Sequence, residues 1–142
     1  MVIPDANLLI YAYNPDAVHH QESIEWLELQ FQGRDPLGFT WPTLWAFARV
    51  ATNPRLWPRS VSAEEVFSQW EEWLEQPNAI IVGPGPRHTH ILHGLVTQSG
   101  VVGSMISDAV LAAIAIEHAA TLASTDRDFR RFSGLRWINP LE

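Results

Sequence analysis

Short apolar runs alternate along the chain with longer segments in which apolar residues recur at helical spacing. The short runs are bounded by Pro, Gly or acidic residues and are predicted as strands at residues 1–5, 78–82, 121–124 and 135–138, the second of them buried. The longer segments are predicted as helices at residues 6–12, 18–32, 40–53, 62–75, 88–99 and 108–118, with a short helix after Asp126. This alternation indicates a mostly parallel sheet covered by helices on both faces.

Several predicted helix ends carry capping residues. Ser62 and Glu65 have the spacing of a capping box at the start of the fourth helix. Ser107 is predicted to cap the long sixth helix, and Gly33 is typical of a helix C-terminus. The apolar stripe of the fourth helix is predicted to face the core, and it consists of Trp70, Trp73 and Leu74.

Length and composition favour one folded domain over residues 1–142. Hydrophobic residues make up 46% of the 142-residue chain and charged residues 18%, which excludes intrinsic disorder. We predict neither a membrane span nor a signal peptide, because the longest apolar stretch is interrupted by Glu117 and His118 and no basic segment precedes the first apolar run. The absence of Cys excludes thiol chemistry and agrees with a cytoplasmic location.

The charges restrict the chemistry further. The net charge is −7, so a broad basic face for nucleic acid is not expected and any such contact must be local. All 9 basic residues are Arg, which excludes a P-loop, a Schiff base and a phosphoaspartate site that depends on Lys.

Four aspartates are predicted to converge at one edge of the sheet. Asp5 ends the first strand, Asp126 and Asp128 follow the third predicted strand, and Asp108 begins the sixth helix. Ligands bind at the carboxyl ends of parallel strands, and clustered carboxylates are costly unless a cation neutralises them. The pattern therefore predicts a site for Mg²⁺ or Mn²⁺, although each Asp taken singly is also typical of a helix cap or a turn. Glu117 lies about half a turn out of phase with Asp108 and is predicted to point away.

Motifs along nearly the whole chain resemble those of PIN-domain ribonuclease toxins of the VapC type. The matching segments are Asp5-Ala6-Asn7, the Phe-x-Arg-x-x-Thr-Asn-Pro element within residues 41–54, Pro84 to His88, Ser107-Asp108-Ala109, and Ser124 to Phe129 continuing to Asn139-Pro140-Leu141. The resemblance implies a PIN-like three-layer α/β/α sandwich and a Mg²⁺- or Mn²⁺-dependent endoribonuclease. It also implies a homodimer and inhibition by a small VapB-type antitoxin.

The resemblance also suggests roles for individual residues. Asp5, Asp108 and Asp126 would bind the ion, with Asp128 assisting directly or through water. Asn7 would orient Asp5, Ser124 would supply a hydroxyl where many relatives have Thr, and Arg49 or Arg127 would neutralise substrate phosphate.

One departure from the family pattern leaves a second function open. The family's second acid usually lies on the third helix, three residues before the position of Arg49, and Ala46 stands there. The alternative is a catalytically weakened PIN-like module that binds RNA or protein.

Overall fold

A computed structural model of the chain describes residues 1–58 and 61–142. The strands each have three residues: β1 (Val2–Pro4), β2 (Leu37–Phe39), β3 (Ala79–Ile81), β4 (Thr121–Ala123) and β5 (Arg136–Ile138). The α-helices are α1 (Ala6–Tyr13), α2 (His20–Gln32), α3 (Trp41–Ala51), α4 (Ala63–Leu74), α5 (His88–Ser99) and α6 (Ile106–Glu117). Two short 3₁₀ segments, Gly103–Met105 and Arg127–Arg131, precede α6 and follow β4.

The five strands form one parallel sheet in the order β3-β2-β1-β4-β5. Val2 of β1 is paired with Leu37 of β2 on one side and with Thr121 of β4 on the other. The predicted parallel sheet is thus confirmed, with β1 at its centre. The carboxyl ends of β1 and β4 are neighbours, which brings the chain after residue 4 beside the chain after residue 123.

Each face of the sheet packs against its own set of helices, which confirms the predicted three-layer α/β/α sandwich. Ile3 and Leu122 belong to the core shared with α5 and α6. Leu37 and Phe39 belong to the core shared with α1–α4. Between them, Gly38 lies so close to the α5–α6 core that a Cβ there would sit 3.1 Å from side-chain atoms of Ile3, Met1 and Val82.

Three expectations about the elements were wrong or incomplete. Strand β2 was not predicted, because three residues with a central Gly give little alternation to detect. Strand β3 is an edge strand rather than a buried one, and Ile80 and Ile81 are about two-fifths exposed. Ser107 does not cap α6, since the helix begins at Ile106 and has no side-chain cap.

The other end signals are confirmed. The Ser62 Oγ accepts from the Glu65 amide at 3.1 Å, and the Ser62 amide donates to Glu65 Oε2 at 3.0 Å. Gly33 is the C-cap of α2. Trp73 is buried as expected, whereas Trp70 and Leu74 are only partly buried.

Among the described residues, no helix has the length and apolarity needed to cross a membrane.

Candidate active site at the carboxyl ends of β1 and β4

Asp5 joins the ends of two neighbouring strands. Its amide donates to the Ala123 carbonyl at 2.8 Å, which extends the pairing of β1 with β4 by one residue. One carboxylate oxygen accepts from the Ala6 amide at 2.8 Å, so that Asp5 is the N-cap of α1. The other accepts from the Ser124 hydroxyl at 2.7 Å. Contacts at the ends of both strands therefore hold Asp5 in place without a ligand.

A small hydrogen-bond network holds the Ser124 hydroxyl in place. Ser124 is fully buried, and its Oγ also accepts from the Asp126 amide at 3.0 Å. The Asn7 Nδ2 donates to Thr125 Oγ1 at 2.8 Å and lies 3.4 Å from the Ser124 Oγ. Asn7 thus reaches Asp5 through hydroxyl groups, not directly, and sequence reasoning missed Thr125. The Asn7 Oδ1 is buried and has no hydrogen-bond partner in the described part of the chain.

Asp126 and Asp128 lie at the start of the 3₁₀ segment that follows β4. Asp126 caps this segment by accepting from the Asp128 amide at 2.9 Å. Asp128 is more exposed, and its Oδ1 lies 3.5 Å from a terminal nitrogen of Arg131. The capping interpretation is confirmed for Asp5 and Asp126, and both caps lie at the same edge of the sheet.

Asp108 lies in the first turn of α6 and interacts electrostatically with all the other acids. Its pKa is raised from 3.8 to about 6, first by burial and then by the charges of Asp126, Asp5 and Asp128. The charge of Arg131 acts in the opposite direction on this pKa. The structure therefore brings Asp5, Asp126 and Asp128 close enough for their charges to disfavour ionisation of Asp108.

The pKa of Asp5 is also raised, chiefly because burial disfavours its charged form, with a smaller contribution from Asp126. Even so, across residues 1–58 and 61–142 no group of three or more His, Asp or Glu side chains is gathered tightly enough to hold a metal ion. Oxygens of Asp5 and Asp126 instead accept from neighbouring amides and a hydroxyl.

Among the described residues, neither arginine proposed for substrate phosphate pairs with these carboxylates. Arg127 donates to Glu142 Oε1 at 2.6 Å, near the end of the chain. Arg49 is exposed in the last turn of α3, and its side chain forms no hydrogen bond or ion pair with the described residues. Sequence reasoning missed Arg131, although its position three residues after Asp128 is the spacing of a helical ion pair.

Glu117 has the structural role predicted for it. It ends α6, and its carboxylate accepts from the amides of Gly85 at 2.7 Å and Arg87 at 2.9 Å. These hydrogen bonds, that from Gly85 above all, lower the pKa of Glu117. A Cβ on Gly85 would sit 2.6 Å from this carboxylate, so a side chain there would displace the contact.

Comparison with known proteins agrees with this architecture. The PIN domain family profile matches residues 2–135. Ribonuclease VapC37 of Mycobacterium tuberculosis is 44% identical over 140 residues, which are 99% of this chain and 97% of that protein. Ribonuclease VapC33 of the same species is 37% identical over 141 residues, 99% of each chain.

Solved structures share the fold at low sequence identity. VapBC2 from Rickettsia felis, bound to a DNA fragment from its promoter, has a chain with a TM-score of 0.72 at 21% identity over 98% of both chains. VapBC-1 from nontypeable Haemophilus influenzae has a chain with a TM-score of 0.71 at 17% identity over 100% of both. The sequence matches span nearly the full length, and the structural matches reproduce the layered sheet. The chain therefore belongs to the PIN-domain family and, within it, to the VapC ribonucleases.

Proposed function

We propose that this protein is a divalent-metal-dependent endoribonuclease toxin that a small VapB-type antitoxin neutralises. The observation that carries the proposal is the electrostatic state of Asp108. Its pKa of about 6 reflects burial and three neighbouring carboxylates, which is the environment that a bound cation would relieve. Family membership supplies the reaction class, the hydrolysis of RNA phosphodiester bonds.

Asp5, Asp108 and Asp126 are the residues that would hold Mg²⁺ or Mn²⁺, with Asp128 assisting. The donor set suits a hard cation, because it consists of carboxylate oxygens supplemented by hydroxyl and amide oxygens. The buried Asn7 Oδ1, which lacks a partner among the described residues, is a further oxygen in this region. When bound, such an ion supplies Lewis acidity to water and to a phosphate group.

The chain's own residues would prepare the site in two ways. Ser124 and the Ala6 amide hold the Asp5 carboxylate in one orientation, and Asn7 holds the neighbouring hydroxyls. The pKa of Asp108, raised to about 6, means that this carboxyl is largely ionised at neutral pH and can then attract a cation. Both features favour a carboxylate cluster with a bound cation over an empty one.

The alternative, a weakened module that binds RNA or protein without cleaving, is favoured by one observation. Helix α3 contains no acidic residue, and Ala46 lies half-buried where the family pattern has a carboxylate. Fewer carboxylates mean weaker ion binding, because each missing carboxylate removes one oxygen ligand and one attractive charge. The ribonuclease proposal and the non-cleaving alternative therefore predict opposite results in one assay.

That assay is cleavage of a mixed RNA pool by the purified protein, with Mn²⁺ and with EDTA. We expect Mn²⁺-dependent cleavage that Asp108→Asn abolishes. The matched control is Asp16→Asn, which removes the same charge from an exposed position and should retain full activity. Binding of RNA without cleavage would establish the alternative, and full activity of Asp108→Asn would refute the assignment of the site.

We also propose that the protein forms a homodimer through an aromatic face on α3 and α4. Trp41, Trp45 and Phe67 are 42%, 61% and 46% exposed. The rings of Trp41 and Phe67 flank Trp70, with centroids 6.0 Å and 5.3 Å away. An apolar cluster of this kind on a surface is typical of a protein interface.

A groove between α2 and α4 suits an amphipathic segment of the antitoxin. It has a volume of about 380 Å³ and is lined by Leu27, Phe31 and Trp73, with Glu28 and Glu72 also present. Apolar side chains of a helix could fill it while basic ones pair with the glutamates. Co-purification with the small protein encoded beside this one is expected, and Glu72→Arg should weaken it. Failure of any such protein to bind would contradict this part of the proposal.

A further inference from the structure

Arg131 occupies the boundary between the two elements that carry Asp108 and Asp128. Its Nε donates to the Asp128 carbonyl at 3.1 Å, and one terminal nitrogen donates to the Met105 Sδ at 3.4 Å. Met105 directly precedes α6, and Asp128 lies in the same 3₁₀ segment as Arg131. The guanidinium thus lies at the rim of the acidic cluster.

The terminal nitrogens of Arg131 have spare donor capacity. Among the described residues, one meets only a thioether sulfur, which is a weak acceptor, and the other is 3.5 Å from Asp128 Oδ1, beyond the usual hydrogen-bond range. The side chain is 36% exposed, so part of it is open to solvent. A guanidinium presents its terminal nitrogens as a fork that fits two oxygens of a phosphate group.

Anchoring of the 3₁₀ segment does not depend on this side chain alone. Phe129 and Phe132 flank it, are 1% and 3% exposed, and belong to the core shared with α5 and α6. The neighbouring arginines are engaged elsewhere: Arg130 lies 5.0 Å from the ring centroid of Trp137, and Arg127 pairs with Glu142. Arg131 is therefore the arginine of this segment that is placed for a ligand at the acidic cluster.

We infer that Arg131 binds a phosphate group of the RNA substrate at the rim of the acidic site. The inference rests on the proposed ribonuclease function, and it replaces Arg127 as the phosphate-binding residue of this segment. A polyanion approaching a protein of net charge −7 meets repulsion, so a cation beside the carboxylates is needed to hold it there. The terminal nitrogens of Arg131 can bind the phosphate while its Nε keeps the hydrogen bond to the Asp128 carbonyl.

The test compares Arg131→Gln with Arg127→Gln, two variants that remove the same charge from one short segment. Binding of a fluorescein-labelled single-stranded RNA 12-mer is followed by anisotropy with Mn²⁺ present, in an Asp5→Asn background that keeps the RNA intact. We expect Arg131→Gln to bind about tenfold more weakly and to lower the salt dependence by roughly 0.7 in log–log slope, the share of one single-strand phosphate contact. Arg127→Gln should stay within about twofold of the reference.

Titration calorimetry of Mn²⁺ without RNA separates phosphate binding from a scaffold role. Removing a positive charge near the carboxylates should leave Mn²⁺ affinity equal or higher, whereas a residue that merely holds Asp128 in place would lower it when replaced. Unchanged RNA affinity in Arg131→Gln, or Mn²⁺ affinity reduced more than about threefold, would overturn the inference. Arg131→Lys, which keeps the charge but not the fork, repeats both measurements if the Gln variant does not fold.

A failure of the proposed function would look different. If the reference protein binds no RNA and wild type cleaves none, the ribonuclease proposal and this inference both fall. If the reference binds RNA and only Arg131→Gln is unaffected, the inference falls alone.

Discussion

Asp5 is at once a helix cap and a member of a charged cluster, and both properties come from its place at the end of β1. The amide of Ala6 and the hydroxyl of Ser124 stabilise its charge, while burial opposes it and raises its pKa. Asp108 accepts no hydrogen bond of this kind in the described structure, and its pKa is raised to about 6. The pKa values of both acids are raised, and the titration of Asp108 near pH 6 is the more convenient measure of the site.

The metal-free protein should lose stability as pH rises from about 4 to about 6.5. In that window the folded state holds a proton on Asp108 that the unfolded state, with an ordinary pKa of 3.8, has released. Deprotonation is thus less favourable in the folded state, and Asp108→Asn removes this cost. The variant should gain about 1–2 kcal/mol over wild type between pH 4.5 and pH 7, after allowance for solvent screening of a partly exposed group.

Urea denaturation in EDTA at the two pH values measures this difference. The control is Asp16→Asn, which changes an exposed residue. Its free energy of unfolding should differ from that of wild type by the same amount at both pH values. Parallel stability profiles for wild type and Asp108→Asn would mean that the carboxylates do not repel one another in the folded protein.

At the level of elements, helix ends follow local sequence closely, whereas short strands do not. Both hydrogen bonds of the α4 capping box are present in the structure. Strand β2 has only Leu37, Gly38 and Phe39, and it is stabilised by pairing with β1 and β3 on either side. A cap depends on neighbours in sequence and a strand on neighbours in space, which explains the difference in predictability.

Ser62→Ala should destabilise the protein by about 1 kcal/mol, because it leaves the Glu65 amide without its side-chain partner. The control is Ser68→Ala, an exposed serine in the middle of the same helix, where Ala should be neutral or slightly stabilising. Thermal unfolding of both variants checks the prediction. An equal change in Tm for the two would show that the cap contributes nothing.

Ala46→Glu should tighten divalent binding if α3 presents this position to the acidic site, as the family pattern implies. The added carboxylate supplies an oxygen ligand and one more negative charge, and a gain of roughly tenfold, about 1.4 kcal/mol, is expected after desolvation and repulsion are subtracted. Calorimetric titration of Mn²⁺ measures it, with Ala63→Glu as a control that adds the same charge to the exposed start of α4. Unchanged affinity in a folded Ala46→Glu variant would show that position 46 faces away from the ion.

At the scale of the whole molecule, negative charge and exposed aromatic surface set how the protein meets other molecules. A net charge of −7 disfavours general binding of nucleic acid and favours basic partners. The aromatic face of Trp41, Trp45 and Phe67 favours an apolar contact instead. We therefore expect association through α3 and α4 to persist at high salt, and capture of a basic antitoxin segment to weaken with salt.

Trp45→Glu should convert the proposed dimer to a monomer, because it places a charge on the aromatic face. Light scattering at several protein concentrations gives the mass directly. Leu29→Glu is the matched control: Leu29 is 64% exposed on α2, outside that face, so its variant should remain dimeric. A dimeric Trp45→Glu, or a monomeric wild type at high concentration, would contradict the proposed interface.

The sequence by itself determined the class of fold and most helix boundaries, and it supplied the prediction of which acids form the site. These properties depend on local patterns: the helical recurrence of apolar residues, the capping box at Ser62, and aspartates that directly follow apolar strands. The family resemblance, which rests on the same residues, agrees with the profile match over residues 2–135.

Only the tertiary structure decided how those residues meet. It paired β2 between β1 and β3, left β3 at the edge, and brought Ser124 to Asp5 across 119 positions of chain. It also placed Arg131, not Arg127, beside the acids, although both lie in one short segment with the same charge. The physical reason is that pairing, burial and electrostatic coupling depend on distances between residues remote in sequence, and a local pattern carries no information about those distances.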